Sequence, residues 1–502
     1  MGMSTQVLGV FLLLVTPACA LAPFKDCSKM SSSEIHNWPI LLASFTVNCL
    51  TKGMATSLGV FYIEWFREFP DSSAQVGGLS ISVMVMLLCT SPLAGALAQC
   101  YGVRPVVAAG ACLSSAGLLL ASFARDISVL FTTIPFMAGI GFGMSHMGVL
   151  FIISELFHEH YATANGITLT GTSVGTIVMP ILNSFLIEQY GWRGALVVLS
   201  AVEANLLVCA GLLRAPAGER AHSKSQSGEQ CDRGNNGSLT HRETEGVFRY
   251  KQLLESADES EDDAIGQTNK FSVSSSQDHS KQERSTTMVT RFLFLSGLSL
   301  LWTNRVYVSF LLAAVTNTSI MGVTLAYIVA RAESVGVPTL QATSLISAIG
   351  IANIASRMTH GWLVDTGQVH PAYVYGAAVA LSAVAGPIIA SVESYPWFMV
   401  CAVLVGLSAG AFIPMQITIT RQIVGQERFP GGSGVSLVFA GIGDFSSALM
   451  AGHLHDVTNS YSGGFIMMGI VSGMSTALTF FLHLTWTRLI PDDRWPRISP
   501  AA

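Results

Sequence analysis

Twelve apolar runs of membrane-spanning length divide this chain, six before and six after a long polar stretch. A helix needs about 20 mostly apolar residues to cross the hydrocarbon core of a bilayer. The predicted spans are 38–62, 75–99, 103–124, 127–151, 161–187, 193–213, 305–330, 338–364, 371–391, 395–419, 432–455 and 461–486. The pattern predicts an all-α membrane protein with two six-helix halves, because an α-helix satisfies its own backbone hydrogen bonds in lipid.

The composition excludes several other classes of protein. Charged residues make up only 11% of the 502 residues and hydrophobic residues 50%, whereas soluble domains carry about 25% charged residues. The net charge of −5 offers no basic surface for nucleic acid. The nine cysteines are scattered without a CxxC pair, and no GxxxxGK[ST] loop is present. We therefore expect a lipid bilayer around the protein and no metal, cofactor or nucleic acid.

Polar stretches set the boundaries of the predicted domains. The stretch after the sixth run carries charge clusters and serine runs, which is typical of a disordered linker. The 11-residue apolar run at 292–302 is too short to span and predicts an interfacial segment. The expected organisation is an amino-terminal extension (1–37), a first half (38–213), a cytoplasmic linker (214–291), an interfacial segment (292–304), a second half (305–486) and a cytoplasmic tail (487–502).

The apolar run at 7–22 has more than one interpretation. It ends in small residues like the core of a signal peptide, but no lysine or arginine precedes it. It is a cleaved signal, a non-essential extension or a mis-assigned start. We favour the last two, because a cleaved signal would invert the charge distribution across the membrane.

Lysine and arginine predict the orientation, since they are enriched on the cytoplasmic side of membrane proteins. With both termini cytoplasmic, 20 of the 26 basic residues lie inside and 4 outside. Without the long linker the ratio is still 9 to 4. We expect both termini in the cytoplasm, in the plasma membrane, so the sequon at Asn236 would stay unused.

The two halves share a short internal repeat. Gly95 is followed four residues later by Gln99, at the turn after the second span. Gly361 is followed four residues later by Asp365, at the turn after the eighth span. In each copy the glycine allows close helix approach and the polar residue can cap or pair across the turn. Two similar halves are typical of secondary transporters, which bind substrate between the halves.

Several longer stretches resemble the major facilitator superfamily and, within it, the monocarboxylate transporter family. The stretches are Tyr-Gly-Val-Arg-Pro-Val-Val at 101–107, Ala-Asn-Gly at 164–166, Gly-Thr-Ser-Val-Gly at 171–175, Tyr-Gly-Trp-Arg-Gly-Ala at 190–195, Val-Gly-Gln-Glu-Arg at 424–428 and Gly-Ile-Gly at 441–443. The resemblance covers about 38–213 and 303–486. It implies the major facilitator fold, with 12 transmembrane helices and a central cavity lined by the first, eighth and eleventh.

The resemblance also implies conformational motifs at the helix ends and along the fifth helix. These are Gly95, Gly102, Arg104, Gly361, Asp365, Gly171 and Gly175. Packing alone is an alternative role for most of these glycines. Some members of the family use an accessory single-span glycoprotein, but nothing in this sequence indicates one.

Departures from the family pattern indicate a divergent member. The acidic signature that opens the family's first helix is reduced to Asn37–Pro39, and the Gly-Pro-Pro of its eleventh helix is replaced by Ser447–Leu449. The aspartate and arginine of the eighth helix in lactate-type members fall on Asn353 and Arg357.

Three ionisable residues fall near the middle of predicted spans: Lys52, Arg357 and Asp444. Each would cost about 2.5–3.5 kcal/mol if it faced lipid. We therefore expect all three to face a central passage. Arg357 is the strongest candidate for binding a substrate acid, with Asn353 beside it, because a guanidinium matches a carboxylate bidentately. The alternative is a structural ion pair.

The remaining candidates carry alternatives of their own. Asp444 is a hypothetical partner of Arg357 and proton-coupling residue, or it only neutralises a neighbouring positive charge. Lys52 attracts anions, or it snorkels toward the interface. His146, at the position of a family tyrosine, donates a hydrogen bond to substrate or is a structural histidine between helices.

The sequence thus predicts secondary-active or facilitative transport of a small organic anion or zwitterion, with or without protons. The loss of the acid at position 353 favours uncoupled transport without deciding it. A transport-inactive sensor or scaffold with the same fold is the alternative. A membrane enzyme is disfavoured, because no nucleophile, base and orienting acid cluster in the sequence.

Overall fold

The computed structural model describes residues 37–69, 73–158, 160–213, 294–367 and 369–489. The predicted linker 214–291, nearly all of the amino-terminal extension and most of the predicted tail lie outside these residues. The predicted domain boundaries there stay predictions.

The first half is built from helices that follow the predicted spans. They are α1 (Trp38–Ser57), α2 (Tyr62–Glu68), α3 (Ser73–Tyr101), α4 (Val103–Ser122), α5 (Ile127–Phe131), α6 (Ile140–Leu156), α7 (Tyr161–Ala204) and α8 (Leu206–Leu212). A 3₁₀ turn, Leu58–Phe61, joins α1 to α2, and a π-helical stretch, Thr132–Gly139, joins α5 to α6.

Helix α7 contains two membrane spans that follow each other without an intervening loop. Gly191 has φ 67° and ψ 169°, which breaks the helix into a first arm, 161–190, and a second arm, 191–204. Glycine adopts this backbone conformation without a steric penalty. Trp192 packs in one core cluster with Trp65 of α2, beyond the end of α1. Leu213 packs in another core cluster with Ile40, at the start of α1. The chain therefore reverses direction at Gly191.

The second half repeats this plan. Its helices are α9 (Leu300–Thr303), α10 (Arg305–Ser334), α11 (Thr339–Asp365), α12 (Pro371–Ser391), α13 (Tyr395–Val424), α14 (Phe429–Thr458) and α15 (Ser462–Leu489). The fold is the all-helical two-half architecture that the sequence predicts. Nine helices among the described residues are long and apolar enough to cross a membrane, and one of them, 161–212, is the double-length α7–α8. The count of twelve spans stays a prediction.

Proline opens four of the membrane helices. Pro39, Pro371, Pro396 and Pro430 occupy the first turns of α1, α12, α13 and α14. Backbone N–H groups in a first turn have no partner within the helix, so proline loses nothing there and sets φ for the helix. These residues fix where four spans begin.

The halves meet along two helix pairs. We call the contact of α3 with α14 the first seam and the contact of α7 with α11 the second seam. A Cβ on Gly95 would lie 2.6 Å from the Pro430 carbonyl oxygen in the first seam. A Cβ on Gly361 would lie 2.6 Å from the Ala162 carbonyl oxygen in the second. Both repeat glycines thus let helices of opposite halves touch through their backbones.

Gly171 and Gly175 serve a contact inside the first half. A Cβ on Gly171 would meet the carbonyl of Phe45, and one on Gly175 the carbonyl of Cys49, both on α1. These glycines bring the first arm of α7 against α1. Their predicted conformational role stays a prediction, and close packing is the role that these contacts describe.

Residues 294–303 lie against the start of α14. Gly297 has φ 75°, and a Cβ there would lie 2.6 Å from the carbonyl oxygen of Gly431. The Arg428 guanidinium lies 4.3 Å from the centre of the Phe294 ring. The expected position of this segment at the membrane interface stays a prediction.

Candidate functional site

Charged side chains from α1, α11 and α14 converge between the two halves. Lys52 of α1 interacts electrostatically with both Asp444 of α14 and Arg357 of α11. His146 of α6 also lies within electrostatic range of Lys52 and Arg357. Four of the predicted site residues thus share one region near the middle of the helices.

Asp444 is exposed and faces the first half. It lies one helical turn after Gly441, where a Cβ would meet the Leu88 side chain of α3. The exposed apolar residues Ile442 and Leu449 project from a different side of α14. Because residues three apart share a helix face, Asp444 opens onto the gap between the halves.

Another carboxyl within the membrane helices, that of Glu203, has a different environment. Glu203, in the second arm of α7, is fully buried, and neither of its oxygens has a hydrogen-bond partner among the described residues. It interacts electrostatically with Cys49 of α1. The two carboxyls therefore differ in accessibility, since Asp444 is exposed and Glu203 is enclosed.

Lys52 lies opposite Asp444 across this gap. The side chain is half-buried, and its Nζ lies 3.9 Å from the sulfur of Met84 on α3. Thr56, one turn along α1, is exposed and lies 3.5 Å from the Thr176 hydroxyl of α7. Lys52 therefore presents an ammonium with only a weak sulfur partner on a wall that also carries hydroxyl groups.

Arg357 lies in the second seam. It is 4% exposed, and its Nη1 donates a hydrogen bond to the Leu169 carbonyl of α7. Its own carbonyl lies against Gly166 of α7, where a Cβ would approach to 2.5 Å. Arg357 is thus held between the halves, away from lipid, and joins one half to the other.

The expected ion pair between Arg357 and Asp444 is not formed among the described residues. The two residues lie at different depths. Arg357 is eight residues from the end of α11, about 12 Å, whereas Asp444 is 15 residues from the start of α14, about 22 Å. Asp444 interacts with Lys52 instead.

Asn353 and His146 are both engaged by neighbouring helices. Asn353 accepts a hydrogen bond from the Ser173 hydroxyl of α7 at 2.9 Å, across the second seam. The His146 Nδ1 lies 2.6 Å from the Asn48 side-chain oxygen of α1. Since both residues are at most 5% exposed, neither reaches the gap in this conformation, and their predicted contact with substrate stays a prediction.

Asp365 caps a helix of the opposite half. Its two carboxylate oxygens accept hydrogen bonds from the backbone N–H groups of Ala162, at 3.1 Å, and Thr163, at 2.7 Å. These groups lie in the first turn of α7, where N–H donors lack partners and the helix dipole favours a negative charge. The repeat partner Gln99 donates to the Glu427 carbonyl at 3.1 Å, just before α14.

Arg421 complements Asp365 and was missed by the sequence analysis. Its guanidinium, at the end of α13, donates to the carbonyls of Ser154 at 2.7 Å and Phe157 at 3.2 Å, at the end of α6. It also lies 4.1 Å from the centre of the Tyr161 ring. A positive charge stabilises a helix carboxyl end. The available signal was an arginine in the last turn of an apolar span.

The remaining turn residues differ from one another. Gly102 has φ 89° in the turn between α3 and α4, and Gly367 has φ 72° in the equivalent turn after α11. Both turns therefore require glycine. Arg104 is exposed and makes no hydrogen bond or ion pair within the part of the chain that the structure describes.

Polar contacts between the halves cluster on one side of the bundle, the side on which α1 begins at Trp38. We call it the amino-terminal side. At the opposite side, polar contacts join elements of the same half.

The carboxylate of Glu68 accepts hydrogen bonds from Trp192 and Arg193, both at 2.6 Å. Burial alone would raise the pKa of Glu68, but these two hydrogen bonds outweigh it and hold that pKa below its ordinary value.

Two helical halves, joined on one side and holding charged groups between them, are the architecture of many membrane transporters. Residues 41–373, about two thirds of the chain, match the Major Facilitator Superfamily. The chain belongs to this superfamily.

Curated relatives refine the comparison. The chain is 27% identical over 451 residues to monocarboxylate transporter 12 of Homo sapiens, covering 89% of this chain and 80% of the relative. It is 26% identical to monocarboxylate transporter 13 of Rattus norvegicus, covering 91% and 92%. The resemblance to a divergent monocarboxylate transporter is thereby confirmed.

Solved structures agree on the fold. The human organic anion transporter MFSD10 superposes with a TM-score of 0.61 at 15% identity, covering 90% of this chain and all of that one. The E. coli fucose:proton symporter FucP superposes with a TM-score of 0.58 at 14% identity, covering 90% and 99%.

Proposed function

We propose that this protein carries a small organic anion or zwitterion across the membrane by alternating access. One observation carries the proposal. Lys52 and Asp444, from opposite halves, both reach the gap at mid-helix, and they form no ion pair with each other among the described residues. A charged side chain in a membrane is costly unless it faces the bundle interior or a water-filled cavity, and such a residue is therefore a candidate for a functional site. The names of the monocarboxylate transporters among its relatives support an acid substrate.

Lys52 is the proposed first contact for the acid group. Its ammonium reaches the gap, whereas Arg357 is covered by α7 in this conformation. Arg357 adds positive potential behind Lys52 and is freed for substrate when the second seam opens. Asn353 shares that seam and is proposed to act with Arg357.

The proposed state is outward-facing. Both termini are proposed to be cytoplasmic in the plasma membrane, which makes the amino-terminal side the cytoplasmic side. Since polar contacts between the halves cluster on that side, the gap opens outward. The gating role of Asp365, Gly95 and Gly361 is to hold this closure and release it on inward opening.

Asp444 is the proposed proton-coupling residue. It faces the gap and interacts electrostatically with Lys52, so a proton on Asp444 and an acid on Lys52 would enter together. Uncoupled transport is the second candidate, since position 353 carries an amide where lactate-type relatives carry the acid. A transport-inactive sensor is disfavoured, because the passage keeps its charged groups.

The test is uptake of radiolabelled small acids into vesicles that contain the full chain, at two pH values. Lys52→Ala and Arg357→Ala are expected to lower uptake about tenfold or more, the loss of one charge-assisted contact. Arg67→Ala is the matched control, because Arg67 is exposed in α2 and pairs only with Glu64.

Two results decide the proposal. If wild-type vesicles accumulate no organic acid or zwitterion above empty vesicles, transport is refuted. If Asp444→Asn leaves the ratio of uptake at the two pH values unchanged, proton coupling through Asp444 is refuted and uncoupled transport remains.

A further inference from the structure

The two gap-facing charges have opposite sign and belong to opposite halves. Lys52 is on α1 of the first half, and Asp444 is on α14 of the second half. They interact electrostatically, yet no ion pair within 4 Å joins them in the described residues. A pair of opposed charges held apart matches a solute that carries both signs.

The surroundings of each charge support this arrangement. Arg357 interacts with Lys52 and adds a second positive charge on that side of the gap. Lys52 is the charged group that acts on Asp444. The Asp444 carboxylate makes no hydrogen bond through its side chain with the residues that the structure describes, and its backbone carbonyl accepts one from Ser447. The carboxylate is therefore available to a cationic group in the gap.

Charge balance is satisfied by such a solute as well as by an acid that enters with a proton. The three central side chains are two basic groups, Lys52 and Arg357, and one acidic group, Asp444. A carboxylate that enters with a proton for Asp444 adds no net charge. A carboxylate that carries its own ammonium also adds none, and the ammonium then takes the place of the proton at Asp444.

From this geometry we propose that the substrate is a zwitterion whose acid group binds Lys52 and whose cationic amine binds Asp444. The proposal rests on the proposed transport function and specifies its substrate class. A solute that bridges α1 and α14 contacts both halves at once. Binding energy is then gained when the halves approach, as alternating access requires.

The test compares two matched series of probes on the purified full chain in nanodiscs. One series is the straight-chain ω-amino acids of two to six carbons, and the other is the straight-chain acids of the same lengths. We expect at least one ω-amino acid to bind about tenfold more tightly than its matched acid, the worth of one charge-assisted contact.

Variants at the two positions assign the ends of the solute. Asp444→Asn is expected to remove the preference by weakening only the amino acid, and Asp444→Glu to keep it. Lys52→Met is expected to weaken both series. Lys52→Asp alone and Asp444→Lys alone are each expected to abolish binding of the amino acid. The double exchange is expected to restore it, because the zwitterion can then bind in the reverse direction.

The outcomes separate this inference from the function on which it rests. If straight-chain acids bind as tightly as the amino acids, or if Asp444→Asn weakens both series alike, the zwitterion assignment is wrong while acid transport stands. If neither series binds and neither enters vesicles, both the transport function and the assignment are wrong.

Discussion

The first and second seams occupy equivalent places in the two halves but are held by different chemistry. In the first seam, Gly95 packs against Pro430 and the neutral Gln99 donates one hydrogen bond to a backbone carbonyl. In the second seam, Gly361 packs in the same way, but the Asp365 carboxylate accepts two backbone hydrogen bonds. The shared glycines provide contact, and the charge distinguishes the second seam.

This contrast indicates where closure of the amino-terminal side is controlled. Asn353, Arg357 and Asp365 all bond across the second seam. Hydrogen bonds with a charged partner contribute more than neutral ones. We therefore expect the second seam to set the balance between the two conformations. Ser433→Cys, in a contact with Met147 across the halves, serves as a maleimide reporter of opening on the amino-terminal side when the nine native cysteines are replaced.

The largest effect is expected from filling the glycine contacts. Gly95→Val and Gly361→Val each place a side chain against backbone atoms that have no room to move. Overpacking costs about 1–3 kcal/mol, so either change is expected to raise labelling of the reporter about tenfold or more. Gly473→Val is the control, since a Cβ at Gly473 meets nothing within 4 Å. Equal labelling in all three variants would show that the seams do not close the protein.

Removing the charge from the second seam is expected to have the next largest effect. Asp365→Asn keeps the size of the side chain but loses a charged cap worth about 1–2 kcal/mol. Labelling of the reporter is expected to rise about fivefold to thirtyfold. Gln99→Leu, the equivalent change in the first seam, is expected to raise labelling by less than about fivefold. A larger rise for Gln99→Leu than for Asp365→Asn would reverse the comparison.

A smaller effect is expected at Arg421, which joins α13 to the end of α6 beside the second seam. Arg421→Lys keeps the positive charge but loses the fork that reaches Ser154 and Phe157 together. We expect labelling to rise about twofold to fivefold, less than for Asp365→Asn. Arg421→Ala is expected to raise labelling of the reporter more than Arg421→Lys does, because it also removes the positive charge. If the two Arg421 variants label equally, the charge at the end of α6 contributes nothing and the planar fork alone acts.

The smallest effect is expected outside both seams, at Glu68. Its pKa lies below the ordinary value, so its contribution is present above pH 4.5 and is lost as the pH falls through the folded pKa. Because Glu68 is exposed, that contribution is at most about 1 kcal/mol. The Tm of Glu68→Gln in detergent is expected to fall less than that of wild type on acidification from pH 7 to pH 4. Reporter labelling should not change, and a change would extend conformational control beyond the seams.

Much of the architecture follows from the sequence, because lipid imposes a strict length and polarity on each span. The helices begin close to the predicted boundaries, and the repeat of Gly95 with Gln99 and Gly361 with Asp365 reappears as two equivalent inter-half contacts. Burial cost also makes Lys52, Arg357 and Asp444 candidates for the inter-half region. Spacing and polarity carry this information.

The rotation and depth of each helix are not encoded so simply. Arg357 and Asp444 both fall mid-span in the sequence, yet Arg357 lies within the second seam and Asp444 opens onto the gap. In the sequence, Arg421 is an ordinary positive charge at the predicted cytoplasmic end of a span. Its hydrogen bonds to the end of α6 depend on how α6 and α13 pack. Tertiary packing decides these positions, and a pattern of single residues does not contain it.

The partners of Asp365 are main-chain amides, and this has a consequence for natural variation. Every amino acid except proline supplies an N–H group, so substitutions at positions 162 and 163 can accumulate without removing the donors. The cap that Asp365 forms on α7 thus needs the carboxylate, whereas its two backbone donors need no particular side chain at positions 162 and 163. Natural variants that weaken it should cluster at Asp365 itself, or introduce proline at its two donors.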